Sequence, residues 1–270
     1  MFWIDFRKKI RSVCSNFDMM KFVISPAKKM KEGGDGVPVF DSPCFLFKTQ
    51  ELLNELQSLN YEQMKKIFKA NETICRKNFE NFKSFRIDGS LSPAIFSYDG
   101  IQYAYMKPNV FTDDELEYLQ NHLYIISGFY GLLRPLDGIR PYRLEMGSAF
   151  RGRNFVSLYD FWGDRLTKKV YESATTVLNL ASEEYAKALR PYIPKDKRWI
   201  DVRFFDRVGT KYVEKGVYVK MARGLMVRFL CENRIEEAEQ IKNFKEMGYR
   251  YDQEMSNKNE YIFVREDSKC

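Results

Sequence analysis

The chain has 270 residues, 44% of them hydrophobic and 16% aromatic, which supplies a self-sufficient core and excludes a disordered composition. Its 44 Lys and Arg against 37 Asp and Glu leave a formal net charge of +7, a moderate excess that bears on partners and not on fold. Five scattered cysteines without a Cys-x-x-Cys pair, and a single histidine, His122, argue against a disulfide framework, a structural zinc site and a two-histidine iron site; they point to a reducing cytoplasm and to no metal or other cofactor.

Residues 1–19 carry Arg7, Lys8, Lys9 and Arg11 beside Phe2, Trp3 and Ile4, without an apolar stretch of signal-peptide length. They read as an appendage, or as the product of a misplaced start, ahead of a single domain spanning 20–270. No run of about 18 apolar residues follows, so no membrane span is expected. Lys21-Phe-Val-Ile-Ser25, closed by Pro26, reads as a buried strand whose end offers polar groups to a ligand. Gly33, Gly34, Gly36, Pro38 and Pro43 make 31–43 a loop. Leu52, Leu56, Leu59, Met64, Ile67, Phe68, Ile74, Phe79 and Phe82 recur at helical spacings and predict two or three amphipathic helices. Lys65, Lys66, Lys69, Arg76 and Lys77 on them are either a DNA-facing stripe or an ordinary solvated face.

Residues 93–100 look like a strand running into a turn. Thr112-Asp-Asp-Glu115 is a capping box, which gives its acids a helix-start role in preference to metal binding. Residues 142–146 alternate like a strand, and 158–170 read as a helix in which Phe161 and Trp162 are core residues. Strands are predicted at 177–181, 199–205, 216–220 and 261–264, with helices from Ser182, over 222–234 and over 236–247. Strands and helices mix without repeats or linkers, which predicts an α/β or α+β fold: one globular domain with a mixed sheet flanked by helices.

Two segments carry the chemistry. In Ile126-Ser-Gly-Phe-Tyr-Gly-Leu-Leu-Arg-Pro135, Gly128 and Gly131 allow a tight turn whose amides can face a phosphate. The turn is similar to the hairpin of helix-hairpin-helix DNA-binding modules, with one extra residue between the glycines, or else it is an ordinary αα-hairpin turn. Arg134, Arg140 and Arg143 follow closely, each with a planar fork suited to phosphate, and Tyr142 offers a ring for stacking on an unpaired base. Asp137 and Glu145 are either structural ion-pair partners of these arginines or acid and base groups in a pocket. In the second segment a strand ending at Lys220 meets a helix start carrying Arg223, with Gly224 for close approach and Arg228 one turn on. Cations at a helix start oppose its dipole, so they point either to an anionic partner such as phosphate or to an incidental solvent-facing pair. No Gly-x-x-x-x-Gly-Lys-Ser/Thr loop and no Gly-x-Ser-x-Gly elbow occurs, which disfavours common nucleotide hydrolases and esterases.

In order along the chain, Ile24-Ser-Pro-Ala-Lys28, Ser127-Gly-Phe-Tyr-Gly-Leu-Leu-Arg-Pro-Leu-Asp137, Pro141-Tyr-Arg-Leu-Glu-Met-Gly147, Phe161-Trp-Gly163, Asn179-Leu-Ala-Ser-Glu-Glu-Tyr185 and Lys220-Met-Ala-Arg-Gly-Leu-Met-Val-Arg-Phe229 resemble the YaaA family. The resemblance implies a single-domain mixed α/β fold with a helix-hairpin-helix element and a positively charged cleft for duplex, bent or junction DNA. It also implies a role in hydrogen peroxide stress, limiting damage from unincorporated iron. Lys28, Arg134, Arg143, Lys220, Arg223 and Arg228 match basic positions of the family blocks, whereas Arg140 is not fixed by them. The partner expected is DNA, with no membrane and no obligate protein partner. The competing reading is an enzyme acting on a nucleotide or damaged base, with Lys28, Asp137 and Glu145 in one pocket. Burial separates the two: an enzyme holds these groups in a deep pocket, a binder along an open groove.

Overall fold

The computed structural model describes residues 19–34, 36–89 and 91–266, so the expectations for residues 1–18 lie outside the described residues. Strand β1 (Met19–Ile24) is apolar because it runs through the middle of a sheet, paired in parallel on both edges, and Phe22 faces Leu123 on one side and Leu178 on the other. After it come β2 (Lys29–Met30) and three amphipathic helices, α1 (Leu46–Ser58), α2 (Tyr61–Phe68) and α3 (Glu72–Lys83). The short β3 (Ser92–Pro93), α4 (Ala94–Ser97), β4 (Tyr98–Asp99) and α5 (Ile101–Met106) precede α6 (Asp113–His122), which Thr112 and Glu115 cap as the sequence predicts. Next are β5 (Leu123–Ser127), β6 (Gly131–Leu133), β7 (Gly138–Ile139), α7 (Leu158–Trp162), α8 (Arg165–Tyr171) and β8 (Ala174–Leu180). The remainder comprises α9 (Glu183–Ala186), β9 (Arg198–Val208), β10 (Lys211–Val213), α10 (Gly216–Glu232), β11 (Arg250–Tyr251) and β12 (Glu260–Glu266).

The principal sheet has the order β11-β12-β9-β8-β1-β5-β6, with β10 paired to β9. Strands β12, β9, β8, β1 and β5 are mutually parallel; β6, β10 and β11 run against their neighbours, so the sheet is mixed and helices pack against it. From β1 the chain lays β5 on one side, then returns to add β8, β9 and β12 on the other. Strand order therefore reverses at β1, and open α/β sheets bind ligands beyond the carboxyl ends of their strands at such a point. Among the described residues no helix is long and apolar enough to cross a membrane.

Several local expectations are corrected. Residues 123–133 form a β-hairpin, Ile125 facing Leu133 and Ser127 facing Gly131, so the turn joins two strands and not two helices. The apolar run of β5 is wanted in the sheet beside β1, and Gly131, at φ +79°, takes the left-handed conformation that lets the chain reverse. Residues 216–220 open α10 instead of forming a strand. Their alternation is a five-residue accident, because helix formation buries Val219, Ala222, Met226 and Leu230 on one stripe while leaving Val217 and Tyr218 exposed. Residues 93–100 are mainly the single-turn α4, 142–146 are irregular, Gly163 splits 158–170 into α7 and α8, and 236–247 contain 3₁₀ turns.

Packing holds the hairpin firmly. Phe129 at its tip makes edge contacts with Phe82 and Phe85 at 5.5 and 5.4 Å, and Trp162 is fully buried, as its core assignment requires. Lys65 and Arg76 pair with Glu72 on an exposed helix surface. Gly224 does serve a close approach, although to a helix and not to a ligand: a Cβ there would lie 2.1 Å from the Gln102 carbonyl oxygen of α5.

Candidate functional site at the carboxyl ends of the central strands

Three adjacent parallel strands, β5, β1 and β8, end at Ser127, Ile24 and Leu180, each followed by polar or small residues. Ser25 and Ser182 join the ends of β1 and β8. The Ser182 amide donates to Ser25 Oγ at 2.8 Å, Ser25 Oγ–H donates to Ser182 Oγ at 3.2 Å, and the Tyr103 hydroxyl donates to the Ser25 carbonyl at 3.0 Å. At the end of β5, Ser127 Oγ accepts from the Phe129 and Tyr130 amides at 3.2 and 2.8 Å. Two turn amides expected to face a phosphate are thus engaged internally. Ser127 Oγ also lies 2.5 Å from the Tyr142 hydroxyl, which is 2.9 Å from that of Tyr98. Tyr142 is buried in this chain of hydroxyls, where burial pushes its phenol up to about 12, so its ring is not a surface for base stacking.

Gly128 fixes what lies above these ends. A Cβ there would meet the Leu144 carbonyl at 2.5 Å, so the backbone of residues 144–146 rests directly on the hairpin turn. Trp162 Nε1–H donates to the Gly128 carbonyl at 3.0 Å and holds the turn from the other side. Arg143 and Glu145 are thereby set at the mouth of the strands. Arg143 Nη2 is 3.0 Å and Lys28 Nζ 3.5 Å from the same oxygen, Glu145 Oε1. The Lys28 side chain is 66% exposed, whereas those of Arg143 and Glu145 are mostly covered. Arg143 Nε and Ser148 Oγ are buried atoms that make no hydrogen bond among the described residues, whereas the buried Glu145 Oε1 is met by the two cations. Such atoms are rare in a fold unless a ligand, ion or water completes them.

The other residues singled out in the sequence divide between three places. Arg140 shares the segment with Arg143, donating to the Arg86 carbonyl at 3.0 Å with its guanidinium 5.1 Å from the Phe85 ring centre. Arg134 and Asp137 lie beside Lys21 and Asp41, toward the amino-terminal end of β1 and so away from Lys28 and Glu145. Arg134 contacts Asp137 at 3.1 Å and Asp41 at 3.0 Å, and burial holds the Asp137 carboxyl up at about 6 even so. The structure therefore does not gather Lys28, Asp137 and Glu145 into one pocket. On α10, Lys220 is exposed in the second turn and Arg228 pairs with Glu232 at 2.7 Å, so neither stands at the helix start.

Arg223 faces a cavity of about 460 Å³ beyond the end of β8, lined in part by Asn179, Arg190, Asp201, Arg203 and Glu260. Sequence reasoning missed these residues apart from Asn179, which it met only as part of a block. The available signal was polar residues inside strand-like runs, Asn179 and Asp201, whose side chains bond at 2.7 Å.

The model of the peroxide stress protein YaaA family matches residues 20–255. A UPF0246 protein of Lachnoclostridium phytofermentans is 45% identical over 249 residues, covering 92% of this chain and 98% of that protein. UPF0246 proteins of Agathobacter rectalis and Ligilactobacillus salivarius are each 42% identical over 91% of this chain and over 99% and 100% of their own lengths. The chain belongs to the peroxide stress protein YaaA family.

Proposed function

We propose that this member of the family binds DNA through the phosphate backbone at the mouth of β1, β5 and β8, and that it acts in peroxide stress by covering DNA. The observation that carries the reading is the unfilled Arg143 Nε beside the exposed Lys28: two cations share one carboxylate, and one guanidinium N–H lacks an acceptor. Exposed Lys28 offers a phosphate a direct contact, Arg143 offers one by exchanging Glu145 for the phosphate, and Arg140 on the same segment extends the positive track. Recognition by backbone contacts reads shape more than sequence. One histidine and scattered cysteines favour protection by binding over iron storage. Of the described cysteines, Cys75 and Cys231 are buried away from peroxide, whereas Cys44 is exposed with its Sγ turned toward the Leu132 carbonyl.

The test is anisotropy of a labelled four-way junction across a salt series. Lys28→Ala and Arg143→Ala are each expected to weaken binding and to lower the salt slope by about 1, whereas Glu145→Gln strengthens it. Slopes identical to that of the unaltered protein would remove DNA from this site, and tight stoichiometric uptake in an iron titration would move the role to metal.

The alternative is catalysis on a nucleotide or base by Lys28 and Glu145. The pairing of a lysine with a mostly covered carboxylate, Lys28 Nζ 3.5 Å from Glu145 Oε1, is the observation in its favour. The exposure of Lys28 and the remoteness of Asp137 count against it.

A further inference from the structure

Two of the predicted DNA ligands, Arg134 and Arg223, line cavities, and of these Arg134 is held by Asp41 and Asp137 whereas Arg223 has no carboxylate partner among the described residues. Its Nε is shut off from water while the residue as a whole is half-buried, and its side chain forms no hydrogen bond and no ion pair among the described residues. The neighbouring arginines differ. Arg190 reaches Glu183 at 2.7 Å and Asp201 at 3.1 Å; Arg203 reaches Glu214 at 3.1 Å and Glu260 at 3.0 Å. Burial pulls the Arg223 guanidinium below its usual range, whereas a paired arginine is pushed up, as Arg203 is. A half-buried guanidinium whose Nε reaches neither water nor an acceptor is costly unless an anion meets it.

The walls say what kind of anion. Three arginines (190, 203 and 223) face four carboxylates (183, 201, 214 and 260), a lining of net charge −1. That balance repels a polyanion such as duplex DNA. It suits a small molecule with one anionic group for Arg223 and hydroxyl or amino donors for the carboxylate oxygens around it. A volume of about 460 Å³ far exceeds a lone phosphate and falls in the range of metabolite pockets. The cavity also adjoins the reversal of strand order, since Ala181 in its wall precedes Ser182, the residue bonded to Ser25.

We propose that the cavity beyond β8 is a binding site for a small metabolite bearing one phosphate or carboxylate group and several hydroxyl or amino donors, with Arg223 as the ligand of its anionic group. The site is separate from the Lys28–Arg143 surface and does not depend on the DNA reading.

The experiment is a thermal-shift screen of the full chain against inorganic phosphate, nucleoside monophosphates, sugar phosphates and α-amino acids at about 10 mM, where even a millimolar site gains stability by mass action. One class of organic anion is expected to raise the melting temperature by a few degrees, with phosphate alone doing less; esters or amino acids as the active class distinguish the two anionic groups. Arg223→Gln and Arg223→Lys are expected to abolish that shift. Without ligand, Arg223→Gln should melt at or above the unaltered protein, because it removes an unpaired covered charge; a purely structural arginine would give the opposite. No shift from any probe, a destabilised Arg223→Gln protein, or loss of junction binding in Arg223→Gln would each overturn the proposal.

Discussion

His122, the single histidine of the chain, is buried against Tyr118, with ring centroids 4.2 Å apart. Its Nδ1 lies 2.8 Å from the Met20 carbonyl, which can only accept, so the proton is on Nδ1. Burial pulls the imidazole down to about 4, outweighing the Met20 hydrogen bond, which favours the charged form. Unfolded, the ring protonates near pH 6.5. Between the two values the unfolded chain binds more protons, so the stability contribution is complete above pH 6.5 and is lost as pH falls toward 4. Its size is about 3 kcal/mol by linkage. The lone histidine Cε1–H resonance is therefore expected to stay unshifted until the pH approaches that lower value, and His122→Asn should flatten this part of the stability profile. A midpoint near 6.5 would mean that water, or the Glu236 carboxylate 3.4 Å from Nε2, offsets the burial.

At the level of elements, α10 decides more than its sequence suggests. Its contact with α5 runs backbone to backbone at Gly224, so Gly224→Ala forces the helices apart. Overpacking should outweigh the gain in helix propensity and leave a net loss of about 2 kcal/mol in a urea melt; a neutral result would deny the contact. The same helix shows where sequence reading fails. Long periodic segments such as 52–82, the capping box at Thr112 and the apolar cores of β1, β8, β9 and β12 were legible because their signals are local and repeated. Gly216-Val-Tyr-Val-Lys220 was not, since five residues do not separate a period of two from one of 3.6. Nor was the turn at Gly128 and Gly131, whose glycines suit a β-hairpin and an αα-hairpin equally until a strand is found for Leu123 to pair with. Of the site, the joining of Lys28 and Arg143 through Glu145 matched residues already noted, whereas the group around Arg223 depends on β8, β9 and α10 meeting in space.

Across the whole molecule, the net charge of +7 conceals extensive pairing: Arg134, Arg190, Arg203, Arg228 and Arg265 all have carboxylate partners. Lysines such as Lys66, Lys69, Lys107 and Lys187 stay exposed, but they lie outside the Lys28–Arg143 segment. If Lys28, Arg140 and Arg143 form the footprint, log Kobs against log salt should fall with a slope of about −3, each phosphate contact contributing about −0.9. A slope much steeper would demand a wider contact surface than this one.

The central position of β1 has a further consequence for how the chain is made. Phe22 pairs with Leu178, and that partner leaves the ribosome only after the helices and the hairpin between them. For most of synthesis this buried central strand therefore has an open edge, which only β8 closes. The fold has high contact order at its heart, so nascent chains are most exposed to aggregation and to chaperone capture before residue 180 emerges.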